Sequence, residues 1–323
     1  MKKSPMLIFI GLLALSLVAG ITGQGYSAEK ARFGVNISRN PYYTLPALAA
    51  EEKGLWKNLG LDAKYMPFNS GTNLQRALAA GALDLGIEGV GGIIQGLTRG
   101  LKVRIIADPD ILTHFYFWVK SDSRLKKPED LKGGAKIGVT RFGSETHIYA
   151  QAVVKALGVE KNVKIMALGG VPAQVAGIKA GVIDITNLSN FTMASLKSAG
   201  VARELLYVYD YVPKGLGSYQ MIVARQDFLE KTPSAAKKGA QGYLQGGDYV
   251  MKNKGWAVEK MKTIFNYSEN VALDVYPIMT YAPSGKINRK RIAMVRDFLI
   301  QSGILMKGKA PDLDDIYTTR FLK

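Results

Sequence analysis

Ala77-Leu78-Ala79-Ala80-Gly81-Ala82-Leu83-Asp84-Leu85-Gly86-Ile87 and Gly177-Ile178-Lys179-Ala180-Gly181-Val182-Ile183-Asp184-Ile185-Thr186 are one unit written twice. Each copy reads as the end of a helix, a glycine that stops it, two apolar residues, an aspartate and a short β-run. Gly81 and Gly181 fall where a chain leaving a helix takes a positive φ. Asp84 and Asp184 fall at strand starts. An internal repeat of this size implies a fold made of two similar units.

The flanks of the two copies match as well. In the first, Arg32 to Asn36 reads as a strand and Ser38 to Pro41 as a polar loop. A helix from about Tyr43 to Leu59 follows, stopped by Gly60, and then a strand from Leu61 to Met66. In the second, Lys136 to Val139 is a strand, Ser144 to Leu157 a helix stopped by Gly158, and Val163 to Leu168 a strand. Strands alternating with helices of this length predict parallel sheets with right-handed crossovers. The expected fold is therefore α/β, with two doubly wound lobes joined by a two-strand hinge and a ligand cleft between them. The joint is placed between Tyr116 and Leu131, with a second crossing at Ser218 to Arg225. Residues 29–117 together with 222–323 form one expected lobe, and residues 118–221 the other. The C-terminal part reads as helices that return to the first lobe: Pro233 to Asn253 with Thr232 as N-cap, Trp256 to Phe265, and Asn288 to Gln301 ended by Gly303.

The first residues predict export. Lys2 and Lys3 precede an apolar run from Met6 to Ile21 and a short stretch of small and polar residues up to Ala28, the order of a secretory signal. Residues 1–28 are taken as that signal, with the better cleavage site after Ser27, and the mature chain is expected to be soluble and periplasmic. The rival is an uncleaved anchor, for which the run is a little short. The chain of 323 residues has no Cys, which excludes disulfides, thiolate metal sites, a Cys nucleophile and lipid attachment at Cys. The net charge of +17 becomes +15 once Lys2 and Lys3 are removed. This charge is dispersed, and the one dense basic run, Lys286 to Arg291, reads as a solvated helix face rather than a nucleic-acid patch.

Catalytic constellations are mostly missing. His114 and His147 are the only histidines and have no zinc-site spacing. Ser234-Ala-Ala-Lys237 matches S-x-x-K without its companion motifs. Gly86-Ile-Glu88-Gly89-Val-Gly91-Gly92 fails the dinucleotide spacing because residue 94 is Ile, so its glycines are read as serving a sharp turn and a close approach. No metal and no cofactor is called for.

What remains is a set of helix N-termini at the C-terminal ends of predicted strands. Ligands bind at that edge in open parallel sheets, and the first helical turn offers unpaired N–H groups. The places are Ser38 to Tyr43, Ser70-Gly71-Thr72-Asn73, Gly143-Ser144-Glu145-Thr146, and Asn187 to Asn190. Their Ser, Thr and Asn residues would also serve as ordinary caps.

Several stretches carry a family likeness: Leu45-Pro46-Ala47-Leu48-Ala49-Ala50-Glu51-Glu52-Lys53-Gly54-Leu55-Trp56, Gly60-Leu61, Ser70-Gly71-Thr72, Ala80 to Gly86, and Lys126 to Gly133 with Lys136 to Val139. With them the chain resembles bacterial periplasmic solute-binding proteins of the nitrate, sulfonate, taurine and thiamine-pyrimidine-precursor group, which serve ABC importers. The resemblance implies a hinge-linked, two-lobed monomer that is not an enzyme, closes on a small-molecule ligand and docks on a membrane permease. It places Asn40, Tyr42, Ser70, Thr72, Glu88, Ser144, Thr146 and Asn187 near the ligand. Tyr43, Gly71, Gly143 and Asn190 complete the expected site, with Tyr42 or Tyr43 stacking on the ligand. If Glu88 and Glu145 both face the cleft, a bare sulfonate or nitrate is repelled, and an aromatic or zwitterionic organic molecule fits better. The alternatives are a pyrimidine-precursor synthase-like enzyme, which would be expected to carry a Cys-rich motif, and a membrane-tethered sensor. The N-terminal mass of the exported protein separates the export readings: cleavage leaves a chain starting at or next to Ala28, whereas an intact Met1 supports the tether.

Overall fold

A computed structural model of the chain describes residues 28–37, 39–213 and 216–321; the apolar leader and Ser38 lie outside the described residues. The first repeat unit runs β1 (Glu29–Val35), α1 (Pro41–Glu52), α2 (Leu55–Asn58), β2 (Leu61–Pro67), α3 (Gly71–Ala79), β3 (Leu85–Gly89), α4 (Val90–Thr98) and β4 (Val103–Thr113). After β5 (Phe115–Lys120), the second runs β6 (Ala135–Val139), α5 (Glu145–Ala156), β7 (Val163–Ala167), α6 (Val171–Lys179), β8 (Ile185–Ser189), α7 (Asn190–Ser198) and β9 (Ala202–Tyr207). Next come β10 (Ser218–Arg225) and the helices α8 (Gln226–Lys231), α9 (Pro233–Lys252), α10 (Lys254–Phe265), α11 (Glu269–Val275) and α12 (Arg289–Gln301).

The repeat extends to individual hydrogen bonds. Gly81 and Gly181 both stand at φ +70°. Ala82 N–H donates to Ala77 C=O and Val182 N–H to Gly177 C=O, so each helix ends in the same left-handed cap. The aspartates then do equivalent work: one Asp84 oxygen accepts from Arg32 N–H, and one Asp184 oxygen from Lys136 N–H, both at 2.8 Å. Each thus pins the first strand of its own unit. The long helix expected from Tyr43 to Leu59 is instead two, because Gly54 turns left-handed (φ +64°) between α1 and α2. Thr232 stands at the N-cap of α9, but its hydroxyl donates back to Phe228 C=O, so it gives that helix no side-chain cap.

The sheets have matching orders, β2-β1-β3-β10-β4 and β7-β6-β8-β5-β9. In each, the fourth strand is antiparallel, a departure from the all-parallel expectation. The reason is connectivity. β5 follows β4 after His114 alone, with no crossover helix, and joins the other sheet; β10 makes the return trip. Strand Phe115–Lys120 lies wholly in the second sheet and Ser218–Arg225 wholly in the first, so the passages fall at His114 and between residues 207 and 218.

Register fixes what these passages do. Ser218 pairs with Thr113 and Gln220 with Gly89, so β10 starts at the C-terminal edge of the first sheet. Phe115 pairs with Ser189 and Tyr116 with Tyr207, so β5 starts at the C-terminal edge of the second. Two short passages between these edges make them face each other.

Helix α9 covers the outer face of the first sheet. Phe33 stacks on Tyr243 at 4.9 Å and lies 5.5 Å from Trp56, whose Nε1 donates to Gly239 C=O. Fully burying each such aromatic contributes about 1.5–3 kcal/mol. Helix α9 approaches this closely because Gly242 lies against the Trp56 ring and Gly246 against the Pro46 carbonyl, where a Cβ would overlap. Gly246→Ala should therefore lower stability by about 1–3 kcal/mol in chemical denaturation. Gly255→Ala on α10, with open space around it, should be neutral or gain less than about 1 kcal/mol.

Candidate functional site between the facing sheet edges

The polar residues at the facing edges form one buried network. From the second unit, Glu145 opens helix α5 and reaches across to the first sheet. One of its oxygens accepts from Ser218 Oγ at 2.5 Å and from Gln220 Nε2 at 2.8 Å. Its carboxylate lies against Gly89 and accepts from the Gly91 N–H, at the open start of α4. Gln220 Oε1 in turn accepts from Asn36 Nδ2 at 3.2 Å. Behind Glu145, Thr146 C=O accepts from Asn187 Nδ2 at 2.7 Å.

Glu88 is 2% exposed and lies on the same network. Its carboxyl rests against Gly71 at the start of α3 and Gly92 in the first turn of α4. The sequence GxxGxGG around it thus makes room for two carboxylates, the mechanical role expected of those glycines. Burial pushes the Glu88 carboxyl well above the ordinary range, and the nearby Glu145 adds to this; the Gly89 N–H, Gln75 and Asn36 offset it in part. Burial also raises Glu145, to about 7, against the lowering effect of its bonds from Ser218, Gln220 and Gly91.

Several buried atoms of this region have no hydrogen-bond partner among the described residues: Asn36 Oδ1, Thr72 Oγ1, Glu88 Oε2, Asn187 Oδ1 and Asn190 Oδ1, and also Arg141 Nε in the loop before α5. Buried polar atoms are rarely left unpaired. An open groove of about 420 Å³, lined by Thr72, Gln75, Arg76, Arg99 and Phe142, brings together residues of both units. Arg99 there donates to Gln75 Oε1 and Gln95 Oε1, and Gly143 from the second unit lies against its guanidinium.

The remaining expected site residues divide clearly. Asn40 caps α1 through Tyr42 N–H and also donates to Ser189 Oγ of the other unit at 3.3 Å. Ser70 caps α3 through Asn73 N–H. Ser144 and Thr146 bond to each other, to Thr140 and to Arg141 C=O, so their hydroxyls build their own loop rather than point outward. Tyr42 packs on Phe191 at 4.8 Å and on Tyr281 at 5.2 Å, with its hydroxyl on Thr280. Tyr43 is buried with its hydroxyl on Thr113. Both rings are thus core packing, not free stacking faces. Asn36, Gln220, Ser218 and Thr113 were missed. Asn36 was within reach of sequence reasoning, since it closes the first predicted strand; the others need the long-range pairing of β10.

The NMT1/THI5-like family model matches residues 40–255. The chain belongs to this family. A protein of Brucella abortus named only as a binding protein is 28% identical over 260 residues, covering 80% of this chain and 72% of that one. The taurine-binding periplasmic protein of Escherichia coli is 24% identical over 293 residues, 86% of this chain and 89% of that one. In fold, the chain resembles the alkanesulfonate-binding protein SsuA of Xanthomonas axonopodis bound to MOPS, with a TM-score of 0.75, 16% identity, and coverage of 89% of this chain and 98% of that one. The desulfurization enzyme DSZB has the same fold at a TM-score of 0.59 and 14% identity, covering 91% of this chain and 97% of that one. The family-level expectation and the α/β fold of the periplasmic binding proteins thus hold.

The raised carboxyls predict a pH dependence. Glu145 keeps its proton in the folded chain up to about 7, whereas its ordinary value is 4.5. Over that window the unfolded chain has already released the proton, so stability falls as pH rises from 4.5 towards about 7. Thermal unfolding across this range should show the decline, and Glu145→Gln should make it shallower, leaving the part that the raised Glu88 carboxyl contributes; an unchanged slope in that variant would assign the decline elsewhere.

Proposed function

We propose that this chain is an extracytoplasmic solute-binding protein of an ABC-type importer. It captures a small organic molecule between the two sheet edges, closes on it, and presents the closed form to a membrane permease. The carrying observation is the set of buried, unpartnered polar atoms where those edges meet. A ligand contacted from both units favours the closed arrangement by its differential affinity for it. We take the two passages between the sheets as the hinge, which shifts the expected bounds: residues 29–113 with 218–321 make one lobe and residues 115–207 the other. A monomer in the periplasm fits this role, as does the periplasmic, taurine-binding relative.

Binding rather than catalysis is favoured by the chemistry present. The chain has no Cys. His114 is bonded to the Tyr207 hydroxyl, and His147 accepts from Gly143 N–H, so among the described residues neither imidazole is hydrogen-bonded to a Ser or Thr hydroxyl. The DSZB likeness keeps the enzymatic alternative testable.

A thermal-shift screen across amines, amino acids, sulfonates, carboxylates and pyrimidines tests the reading. A ligand at 100 times its Kd should add about 2.7 kcal/mol of stability. Recovery of the hit compound unchanged after long incubation supports capture; its conversion to a product would place the chain with the enzymes of this fold.

A further inference from the structure

We propose that the cleft selects its solute by the hydrogen-bond donors the solute carries, an ammonium, an amidinium or an N–H-bearing ring, and that Glu88, Asn36 and Asn187 accept them. This rests on the solute-binding reading above and assigns the chemistry of that same site.

The argument is a matter of which atoms are still free. Asn36 is 3% exposed, and its amide is oriented by Nδ2 donating to Gln220 Oε1. Gln220 is oriented in turn by Nε2 donating to Glu145. Asn187 is fully buried and oriented by Nδ2 donating to a main-chain carbonyl, which can only accept. In each amide Nδ2 is engaged through an N–H, and the buried atoms left without any partner among the described residues are the acceptors, Asn36 Oδ1 and Asn187 Oδ1. Glu88 Oε2 is a third free atom of the same region. Thr72 Oγ1 can give or take.

A bare oxyanion needs the opposite set. The natural places for one are the helix N-termini; here the protein's own acids lie at those of α3 and α4, while α5 starts at Ser144 without a side-chain cap. Glu145 lies on Gly89 and Gly91 at the start of α4, and Glu88 on Gly71 at the start of α3. Ser70 and Ser189 cap α3 and α7. Arg141 Nε is the free donor nearby in sequence; it suits a zwitterion, whose anionic end it can meet, without altering the demand for donors. Glu88 is held neutral by burial and by Glu145, while Arg99, the nearest cation of α4, is bonded to Gln75 and Gln95. In that neutral form the carboxyl keeps a proton it can itself donate, so Glu88 accepts from a solute with both oxygens only when a cation seated on Oε2 draws the proton off.

The test uses matched probes on the full mature chain by titration calorimetry: 3-aminopropanesulfonate against propanesulfonate, benzamidine against benzoate, and methylammonium against nitrate. Donor-bearing members should bind at least tenfold more tightly than their partners. Glu88→Gln, which keeps the shape and adds an N–H₂, should weaken the donor-bearing probes by about 10- to 100-fold, the loss of one charge-assisted hydrogen bond. The same variant should weaken the acceptor-only probes little or even tighten them, whereas a merely misfolded variant would lose both classes. Equal or tighter binding of nitrate and propanesulfonate to the wild type, or donor-probe affinity unmoved by Glu88→Gln, overturns the proposal and leaves solute binding standing. Silence of every probe at millimolar concentration counts against solute binding itself, and the proposal falls with it.

Discussion

Each sheet is completed by a strand that arrives from the other half of the chain. β5 pairs between β8 and β9, and β10 between β3 and β4, both antiparallel to their neighbours. This exchange of main-chain hydrogen bonds sets everything else. A passage of one residue at His114 and a second between residues 207 and 218 leave the C-terminal strand edges no option but to face each other. Those edges carry the ends of β1, β3 and β8, so Asn36 and Glu88 meet although far apart in sequence, and Asn187 is tied to them through Thr146 and its neighbour Glu145. The position of the site follows from connectivity before any side chain is considered.

The side chains then close the gap with polar rather than apolar contacts. Glu145 on Ser218 and Gln220, and Asn40 on Ser189, tie the units through buried hydrogen bonds. Such contacts are directional. Removing one partner leaves a buried polar group unpaired, at a cost of about 1–3 kcal/mol, so the arrangement is specific without being greasy. Elsewhere the joint is aromatic, with Tyr42 against the Phe191 ring, and the Tyr267 hydroxyl donates to Phe191 C=O. The polar network that ties the units is thus also the one that presents unmatched acceptors, while the aromatic contacts at Phe191 tie the units without any.

Much of this was legible in the chain itself. The paired Gly81 and Gly181 fix helix ends through local geometry, and Asp84 and Asp184 mark strand starts that each pin a neighbouring strand. Both are short-range effects written in a few residues. Glu88 was singled out because it closes a strand at the edge where ligands bind. The antiparallel fourth strands were not legible, because β-like runs carry no mark of direction or partner. Tyr42 and Tyr43 misled for a related reason: an aromatic ring at a helix start serves a core as readily as a ligand, and only packing against Phe191, Tyr281 and Thr113 decides which.

The glycines under the two acids set where those acids can lie. A side chain at residue 89 and a carboxylate at residue 145 cannot occupy the same space, nor can a side chain at residue 71 and the Glu88 carboxyl. Acid and glycine are therefore coupled: on this backbone a Cβ at residue 71 or 89 makes the facing carboxyl move aside, so the two acids keep these positions only as long as the helix starts beneath them stay bare.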